Sequence, residues 1–227
     1  MSDRAGRLDV GVVGAGLVGP VLGAGLAGAG HRVVGVATTS EDGRDRVAAL
    51  LGDAPILALP ELLAAADLVV LAIPAADLPA LVSGLAEAGH WRPGQLVAHT
   101  AAEHGTAVLE PAMRAGAIPL AIHPAIVFTG TSMDLARLRE ASCAVTAPAP
   151  VLPIAQALVV ELGAEPVIVA ESDRGAYAEA VATATAFSAE IVRQSLELLA
   201  GIGVDRPAGL LAPLIRASVD AALMRSD

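Results

Sequence analysis

The fold of this chain is decided by residues 8–19, Leu8-Asp9-Val10-Gly11-Val12-Val13-Gly14-Ala15-Gly16-Leu17-Val18-Gly19. An apolar strand here runs directly into Gly-x-Gly-x-x-Gly at the start of a helix. In this pattern Gly14 permits the tight turn, Gly16 lets the backbone approach a pyrophosphate, and Gly19 allows the helix to lie close to the strand. Unpaired N–H groups at the helix N-terminus bind the anion. The stretch therefore predicts a βαβ unit that binds a dinucleotide through residues 14–19.

The end of the next strand indicates which dinucleotide is bound. NAD-binding proteins place an acid about twenty residues past the glycines, where it holds the ribose hydroxyls. This chain has Thr38-Thr39-Ser40 at that point, followed by Arg44 and Arg46. A 2′-phosphate is repelled by an acid but bound by hydroxyls and arginines. We therefore expect NADP, held by Thr38, Thr39, Ser40 and Arg44, and NAD is the alternative if Glu41 or Asp42 is the ribose acid.

Short β-branched runs alternate with Ala- and Leu-rich helical stretches through the first 170 residues. This alternation is typical of a parallel sheet with helices on both faces. The predicted strands are 8–13, 32–38, 67–73, 95–100, 117–122, 142–147 and 165–170. The predicted helices are 16–29, 43–51, 60–66, 78–88, 105–115, 134–140 and 151–163. We expect an α/β fold, a Rossmann-type mostly parallel sheet, in a dinucleotide-binding domain at residues 1–170.

The sequence changes character after Glu171, where no further strand is predicted. One long helix is expected at 174–201, then a break at 201–207, then a second helix. Ala recurs on every face of the first helix, which should therefore pack closely on several neighbours. A short tail cannot easily bury such a helix by itself. We expect residues 171–227 to be a helical region that forms a homodimer with a second copy of the chain.

The composition excludes several functions. Neither Lys nor Asn occurs, and all fourteen basic residues are Arg, so a Schiff base, a Walker A loop and an ammonium general acid are absent. A net charge of −10 and few aromatic residues argue against a nucleic-acid partner. The glycine-rich apolar stretch 10–30 does not resemble a membrane span. The single Cys143 excludes an intramolecular disulfide, and a reducing cytoplasm is the expected location.

Open α/β sheets bind ligands beyond the carboxyl ends of their strands, and several polar side chains follow those ends here. His123 is the first candidate to face the nicotinamide or the substrate, as proton donor or hydrogen-bond anchor. His104 is the second catalytic candidate, and Thr100, Thr129 and Tyr177 are candidates for substrate binding. Each also has a structural alternative, which is a satisfied hydrogen bond for a histidine, a cap for a threonine and core packing for Tyr177.

The remaining polar residues form no recognisable catalytic or metal-binding arrangement. His31 and His90 lie in connecting turns and are expected at the surface. Glu103 and His104 are adjacent rather than one helical turn apart, so they do not form a zinc-protease pair. The serines lack the strand-turn-helix context of a nucleophile. We therefore expect no metal centre and no nucleophilic serine.

The chain resembles the Rossmann proteins of the 6-phosphogluconate dehydrogenase-like superfamily, which include pyrroline-5-carboxylate reductase and the deazaflavin-dependent NADP reductases. The resemblance rests on the glycine fingerprint, the Thr-Thr-Ser segment and the strand Ala66-Asp67-Leu68-Val69-Val70-Leu71-Ala72-Ile73-Pro74. Those proteins place such a strand beside the cofactor, which implies contacts from Ile73 and Pro74. More closely, the chain is similar to Rossmann-like proteins that carry a helical C-terminal domain of unknown function. The matching segments are His99-Thr100, His104-Gly105, Ile122-His123-Pro124-Ala125 and Phe128-Thr129-Gly130-Thr131.

The chain departs from that group at two places. Ala101-Ala102 stands where Ser-Gly is usual, and Ala186-Phe187 stands near the place of an Asn-His pair. Several polar groups of the expected substrate pocket are therefore missing. This leaves a changed substrate or a loss of catalysis as alternatives.

The absence of Lys limits the reaction mechanisms that the chain can use. Superfamily members that oxidise β-hydroxyacids or reduce ketopantoate rely on a catalytic Lys. A protonated imine accepts hydride without forming an alkoxide, and hydride exchange between two cofactors needs positioning more than acid-base groups. A His can also supply the proton to a carbonyl. We expect an NADP-dependent oxidoreductase acting on a small imine or carbonyl compound at the interdomain cleft; the alternative is a non-catalytic dinucleotide-binding homodimer that senses or assembles.

Overall fold

The computed structural model describes residues 6–225. Its strands are β1 (Asp9–Val13), β2 (Arg32–Ala37), β3 (Leu68–Leu71), β4 (Leu96–His99), β5 (Ile118–Pro124), β6 (Ser142–Thr146) and β7 (Glu165–Ile168). Within the described range they form one seven-stranded sheet in the order β2-β1-β3-β4-β5-β6-β7. The strands β1 to β5 are parallel to one another, whereas β6 pairs antiparallel with β5, and β7 runs parallel to β6. The predicted Rossmann-type, mostly parallel sheet is confirmed.

Helices connect the strands and cover both faces of the sheet. They are α1 (Gly19–Gly28), α2 (Glu41–Leu51), α3 (Leu59–Ala65), α4 (Leu78–Glu87), α5 (Glu110–Arg114), α6 (Met133–Leu138) and α7 (Leu152–Glu161), and a 3₁₀ turn (Thr106–Leu109) precedes α5. Prolines stand in the first turn of α1, α3, α4, α5 and α7. At these positions the missing N–H has no helical partner to lose, so each proline favours the start of its helix.

Alternating side chains of the central strands build a hydrophobic core on each face. Leu68 and Val70 pack on one side with residues of α1 and α7. Val69 and Leu71 pack on the other side with residues of α3 and α4. Because both faces are covered, the strand reads as a continuous apolar run.

Strand β5 continues two residues past its predicted end at 122. Its last residues, His123 and Pro124, pair with Ala144 and Cys143 of the antiparallel strand β6, whereas β4 ends earlier beside them. The antiparallel partner supports the extension. His123 therefore lies on a paired strand rather than in the following loop.

The chain divides into two compact units, Met1–Ala178 and Glu179–Asp227. Helix α8 (Arg174–Ala182) is followed by a π-helical turn (Thr183–Phe187), by α9 (Ser188–Gly201) and by α10 (Pro207–Leu223). Among residues 179–225 no residue is buried. The predicted domain boundary between residues 170 and 171 stays a prediction. Among residues 6–225, none of the helices combines the length and the hydropathy that a membrane-spanning helix needs.

Candidate functional site

The glycine-rich loop between β1 and α1 combines two crowded glycines with one open glycine. Gly14 has φ +97°, and an added Cβ would overlap the carbonyl oxygen of Ala72. A Cβ on Gly19 would overlap the carbonyl oxygen of Gly14. By contrast, nothing lies within 4 Å of the Cβ position of Gly16. Gly14 and Gly19 therefore shape the turn, and Gly16 leaves space for a ligand.

A cavity of about 470 Å³ opens beside this loop. Its wall contains the end of β1, the end of β2, the segment after β3 and the segment before α3. The residues lining it are Val13, Gly14, Ala37, Thr38, Thr39, Leu57, Ala58, Leu59, Ile73, Pro74, Asp77 and Leu81. The structure thus brings together Gly14, Thr38, Thr39, Ile73 and Pro74, which the sequence placed at the cofactor.

The residues after β2 take different positions. The hydroxyl of Ser40 caps α2 and accepts a hydrogen bond from the Gly43 N–H at 3.1 Å. Arg44 is exposed on α2 and does not line the cavity. Glu41 and Asp42, the alternative ribose acids, are also exposed and lie outside its wall. The acid that does line the cavity is Asp77, which immediately precedes α4.

Arg46 of α2 holds the glycine loop in place through a hydrogen bond. Its guanidinium donates to the carbonyl oxygen of Ala15 at 2.9 Å. Leu17 is 44% exposed, and a Cβ added to Gly130 would lie 2.8 Å from its Cδ2 atom. The loop after β5 therefore packs against the glycine loop, while Val18 begins α1 as its N-cap residue.

A buried carboxylate organises this loop after β5. The carboxylate of Asp134 accepts hydrogen bonds from the N–H groups of Thr129 and Gly130 at 2.7 and 2.8 Å and from the Thr129 hydroxyl at 3.0 Å. Burial alone raises the pKa of Asp134, but these hydrogen bonds outweigh it and hold the pKa below its ordinary value. The Thr129 hydroxyl, a candidate for substrate binding, is thus bonded to Asp134 and also to Thr131.

A second set of polar residues lies at the ends of β4 and β5. His99 is fully buried, and its Nδ1 accepts from the Ala101 N–H at 3.2 Å. Its Nε2 therefore carries the hydrogen and donates to the Gly105 carbonyl oxygen at 2.8 Å. Burial is the main reason why the pKa of His99 falls to about 4. His99 is therefore neutral, and its two hydrogen bonds hold the loop 100–105 in place.

The far end of that loop is held by Glu171, which precedes α8. Its carboxylate accepts from the Thr106 N–H at 2.7 Å, the Thr106 hydroxyl at 3.0 Å and the Ala107 N–H at 3.0 Å. A Cβ on Gly105 would overlap this carboxylate. These hydrogen bonds outweigh the effect of burial and lower the pKa of Glu171.

His123 and Tyr177 form a direct pair. The Nδ1 atom of His123 lies 2.8 Å from the Tyr177 hydroxyl, with the two rings edge to face. Burial, assisted by the charge of Arg174, lowers the pKa of His123 to about 4. Burial also raises the pKa of Tyr177. Both side chains are therefore neutral at pH 7.

The other two candidates lie nearby but are not part of this pair. The ring centroid of His104 lies 6.5 Å from that of His99. Thr100 is half-buried beside His99, and its N–H donates to the Leu71 carbonyl oxygen at 3.3 Å. The structure therefore joins the candidates His123 and Tyr177, and places His104 and Thr100 around His99.

Arg174 belongs to the candidate site, although no pattern in the sequence predicts it. Its guanidinium is buried and donates to Thr146, at 2.7 Å, and to the carbonyl oxygens of Ala121 and Ala144. It also lies 5.8 Å from the centre of the Tyr177 ring. The hydrogen-bond partners of Arg174 lie 28 to 53 positions away along the chain. No local sequence pattern therefore indicates these contacts.

The expectation that His31 lies at the surface is wrong. His31 is 5% exposed. Its Nδ1 accepts from the Leu8 N–H at 3.0 Å, and its Nε2 lies 2.7 Å from a carboxylate oxygen of Glu161. The turn is covered because the end of α7 packs over it and supplies a partner for the imidazole.

Comparison with known proteins identifies the family. A family model of the Rossmann-like domain matches residues 2–124, more than half of the chain, and the chain therefore belongs to this family. A model of a domain of unknown function, DUF2520, matches residues 141–227. These matches confirm the resemblance to Rossmann-like proteins with such a C-terminal domain. No curated protein matches the sequence.

Three solved structures illustrate the shared fold. A candidate NADP oxidoreductase from Bacteroides fragilis is 20% identical over 95% of this chain and 80% of its own, with a TM-score of 0.75. An imine reductase from Pseudomonas sp. is 15% identical over 96% and 76%, with a TM-score of 0.70. A pyrroline carboxylate reductase from Plasmodium falciparum, solved with NADP bound, is 12% identical over 94% and 78%, with a TM-score of 0.65. At these identities the likeness establishes the fold.

Proposed function

We propose that this Rossmann-like chain is an oxidoreductase that binds NADPH at the glycine loop and reduces a small imine or carbonyl compound. The observation that carries the proposal is the cavity of about 470 Å³ between the glycine turn, Thr38, Thr39 and Pro74. Concave sites of this size at the carboxyl ends of parallel strands are where such folds bind nucleotides. The three solved structures that share the fold are a candidate NADP oxidoreductase, an imine reductase and a pyrroline carboxylate reductase with NADP bound.

The residues present fit a dinucleotide. The open face of Gly16 accepts a pyrophosphate beside the start of α1, where the helix dipole favours an anion. Thr38 and Thr39 in the cavity wall offer hydroxyls to the ribose and its phosphate. Arg44, exposed on α2, supplies a cation for a 2′-phosphate. When bound, the nicotinamide supplies the hydride.

His123 and Tyr177 handle the proton in this proposal. Since the pKa of Tyr177 is raised and that of His123 is about 4, the phenol keeps its proton and donates to Nδ1 across the 2.8 Å contact. The Nε2 atom then carries a hydrogen, which it donates to the carbonyl oxygen or imine nitrogen of the substrate. The Nδ1 atom takes the phenol proton in exchange, and Tyr177 regains a proton from water. A neutral imidazole can polarise a carbonyl in this way, without an imidazolium.

We also propose that the chain acts as a homodimer through its C-terminal helices. Support comes from the apolar side chains that α9, α10 and the π-helical turn expose. They include Phe187, Ile191, Leu198, Leu210 and Leu214, each more than half exposed. Apolar patches of this kind mark association surfaces. Analytical ultracentrifugation at micromolar concentration should give a dimer, and a clean monomer would contradict this part of the proposal.

Thermal unfolding with NADPH, NADH and no nucleotide tests the cofactor assignment. A nucleotide at a hundred times its dissociation constant should raise the free energy of unfolding by about 2.7 kcal/mol. In Gly16→Ala the new Cβ meets no protein atom, so the variant should fold normally and lose at least ~90% of its NADPH affinity, about 1.4 kcal/mol. Gly28→Ala, at the exposed end of α1 with equally free space, should bind as the wild type does. If neither nucleotide stabilises the protein, the proposal is contradicted. If NADH stabilises it more than NADPH does, the cofactor is NAD rather than NADP.

NADPH oxidation over a panel of small imines and carbonyl compounds tests the catalytic assignment. His123→Ala should lower kcat by about 10²-fold, the usual contribution of a positioned proton donor. His90→Ala, in a turn outside the site, should leave turnover unchanged. Equal turnover of wild type and His123→Ala would remove His123 from the mechanism. NADPH binding without oxidation of NADPH by any panel member would favour the non-catalytic alternative.

A further inference from the structure

Arg174 carries a buried positive charge that is paired with no carboxylate in the part of the chain that the structure describes. Its side chain is 1% exposed. Its hydrogen-bond acceptors are the Thr146 hydroxyl and two backbone carbonyl oxygens, those of Ala121 at 3.0 Å and Ala144 at 3.2 Å. Within residues 6–225 no carboxylate oxygen lies within 4.0 Å of the guanidinium, and its Nη1 atom has no acceptor.

The nearby acids leave this charge largely uncompensated. The carboxylate of Glu171 attracts Arg174 only from a distance, because it is bonded to Thr106 and Ala107. Glu103 is exposed on the loop 100–105. Burying a charge without a partner of opposite sign is costly. An uncharged donor can also bond neutral carbonyl groups. The hydrogen bonds that join α8 to β5 and β6 therefore do not themselves require a cation.

The charge lies close to the His123–Tyr177 pair. The guanidinium carbon is 5.8 Å from the centre of the Tyr177 ring, and the Tyr177 hydroxyl is 2.8 Å from His123. The charged groups that act on His123 are Arg174, which repels a proton, and Glu103, which attracts one. The buried Arg174 acts through a less polar medium than the exposed Glu103 does, so its effect dominates.

We propose that Arg174 is a specificity-determining residue, whose uncompensated charge makes the His123–Tyr177 end of the sheet select a substrate with an anionic group and reject a cationic one. This rests on the proposed function and narrows it. A carboxylate-bearing carbonyl compound is favoured over a protonated imine. Negative charge that develops on a carbonyl oxygen beside His123 is favoured for the same electrostatic reason.

NMR titration and binding test the proposal without requiring turnover. The probes are pyruvate as an anion, methyl pyruvate as its neutral counterpart, and the N-methyl-1-pyrrolinium cation, each followed by the shifts of the His123 ring. The wild-type protein should bind pyruvate at least about tenfold more tightly than the ester and the cation, a difference of about 1.4 kcal/mol. In Arg174→Gln this preference should vanish, and the titration midpoint of His123 should rise by about one pH unit.

Two further variants separate charge from structure. Arg174→Lys keeps the charge and should keep the preference and the His123 midpoint. Thr146→Val removes a hydrogen-bond partner of the guanidinium but keeps its charge, so it should lose stability while keeping the preference. If Arg174→Gln does not fold, the wild type and Arg174→Lys still test the proposal, because both should bind pyruvate more tightly than the ester and the cation, and the absence of that preference in the wild type would overturn it.

The outcomes distinguish this inference from the proposed function. Selective pyruvate binding at His123 without NADPH oxidation would support the inference and contradict the proposed reduction. Equal binding of all three probes to the wild type, or tighter binding of the cation, would overturn the inference even if the chain reduces another compound. A loss of preference in Thr146→Val equal to that in Arg174→Gln would also overturn it, since the role would then be structural.

Discussion

The two ends of the candidate site differ in what their polar groups bind. Beside β1 and β2, Gly16 faces open space and Arg44 lies exposed on α2. Beside β4 and β5, the imidazoles of His99 and His123 are bonded to Gly105 and Tyr177. The first end offers its groups to a ligand, whereas the second end is already a hydrogen-bonded network.

This difference teaches how each end acts. A nucleotide has many acceptors of its own, so the first end needs backbone N–H groups and free space more than specific side chains. A small substrate supplies few contacts, so the second end must hold its groups in place before the substrate arrives. Substitutions at the first end should therefore weaken nucleotide binding. Substitutions at the second end should lower both stability and turnover.

The largest expected effect comes from Gly14, the exception at the open end. Gly14→Ala puts a Cβ against the Ala72 carbonyl at φ +97°, and we expect a loss of stability on the order of 4 kcal/mol. Gly16→Ala, two residues away, should change stability by less than about 0.5 kcal/mol. Urea unfolding of both variants measures the difference. Similar losses in the two would mean that the whole loop is structural.

The second effect, acid sensitivity, arises at the hydrogen-bonded end. The folded state keeps His99 and His123 unprotonated down to a pKa of about 4, whereas the unfolded chain binds these protons below about pH 6.5. Stability should therefore be complete above pH 6.5 and fall between pH 6.5 and 4, by roughly 1.4 kcal/mol per pH unit for each imidazole. Unfolding at a series of pH values measures this slope.

The matched variant is His123→Gln, which should reduce the slope by about half because one proton is no longer taken up. His90→Gln should leave the slope unchanged. A slope that is the same in all three proteins would show that His123 is not held neutral in the way described.

The smallest effect is expected from Arg44. Arg44→Ala should weaken NADPH binding about five- to tenfold, roughly 1 kcal/mol, because it removes one exposed contact to a phosphate. NADH affinity should not change. Isothermal titration calorimetry with both nucleotides measures the ratio, and Arg216→Ala in α10 is the control for a loss of surface charge. An equal loss for NADH would move the role of Arg44 away from the 2′-phosphate.

Sequence reasoning was most successful where the signal is local. The glycine turn, the strands and the helices of residues 8–170 were predicted because each depends on neighbouring residues. His123 and Tyr177 were both candidates, but their pairing across 54 positions required the fold. Arg174 and Glu171 had no signal, since their partners lie 28 to 65 positions away.

Strand direction was a second limit. Hydrophobic patterns predict that a strand exists but carry no information about whether it runs parallel or antiparallel to its neighbour. The pattern therefore predicts the end of β5 at 122 rather than 124, because the partner that extends β5, strand β6, runs in the opposite direction.

That extension has a consequence for redesigning the substrate preference. His123 is paired with Ala144 of β6, so its backbone has little freedom to shift toward a differently shaped compound. The loops 100–105 and 125–132 lie outside the sheet and are held at fewer points, the first by His99 and the second by Asp134, and loops tolerate changes better than paired strands do. Libraries directed at new substrates should therefore keep position 123 fixed and vary these two loops, with Gly105 and Asp134 retained because their contacts hold the loop ends.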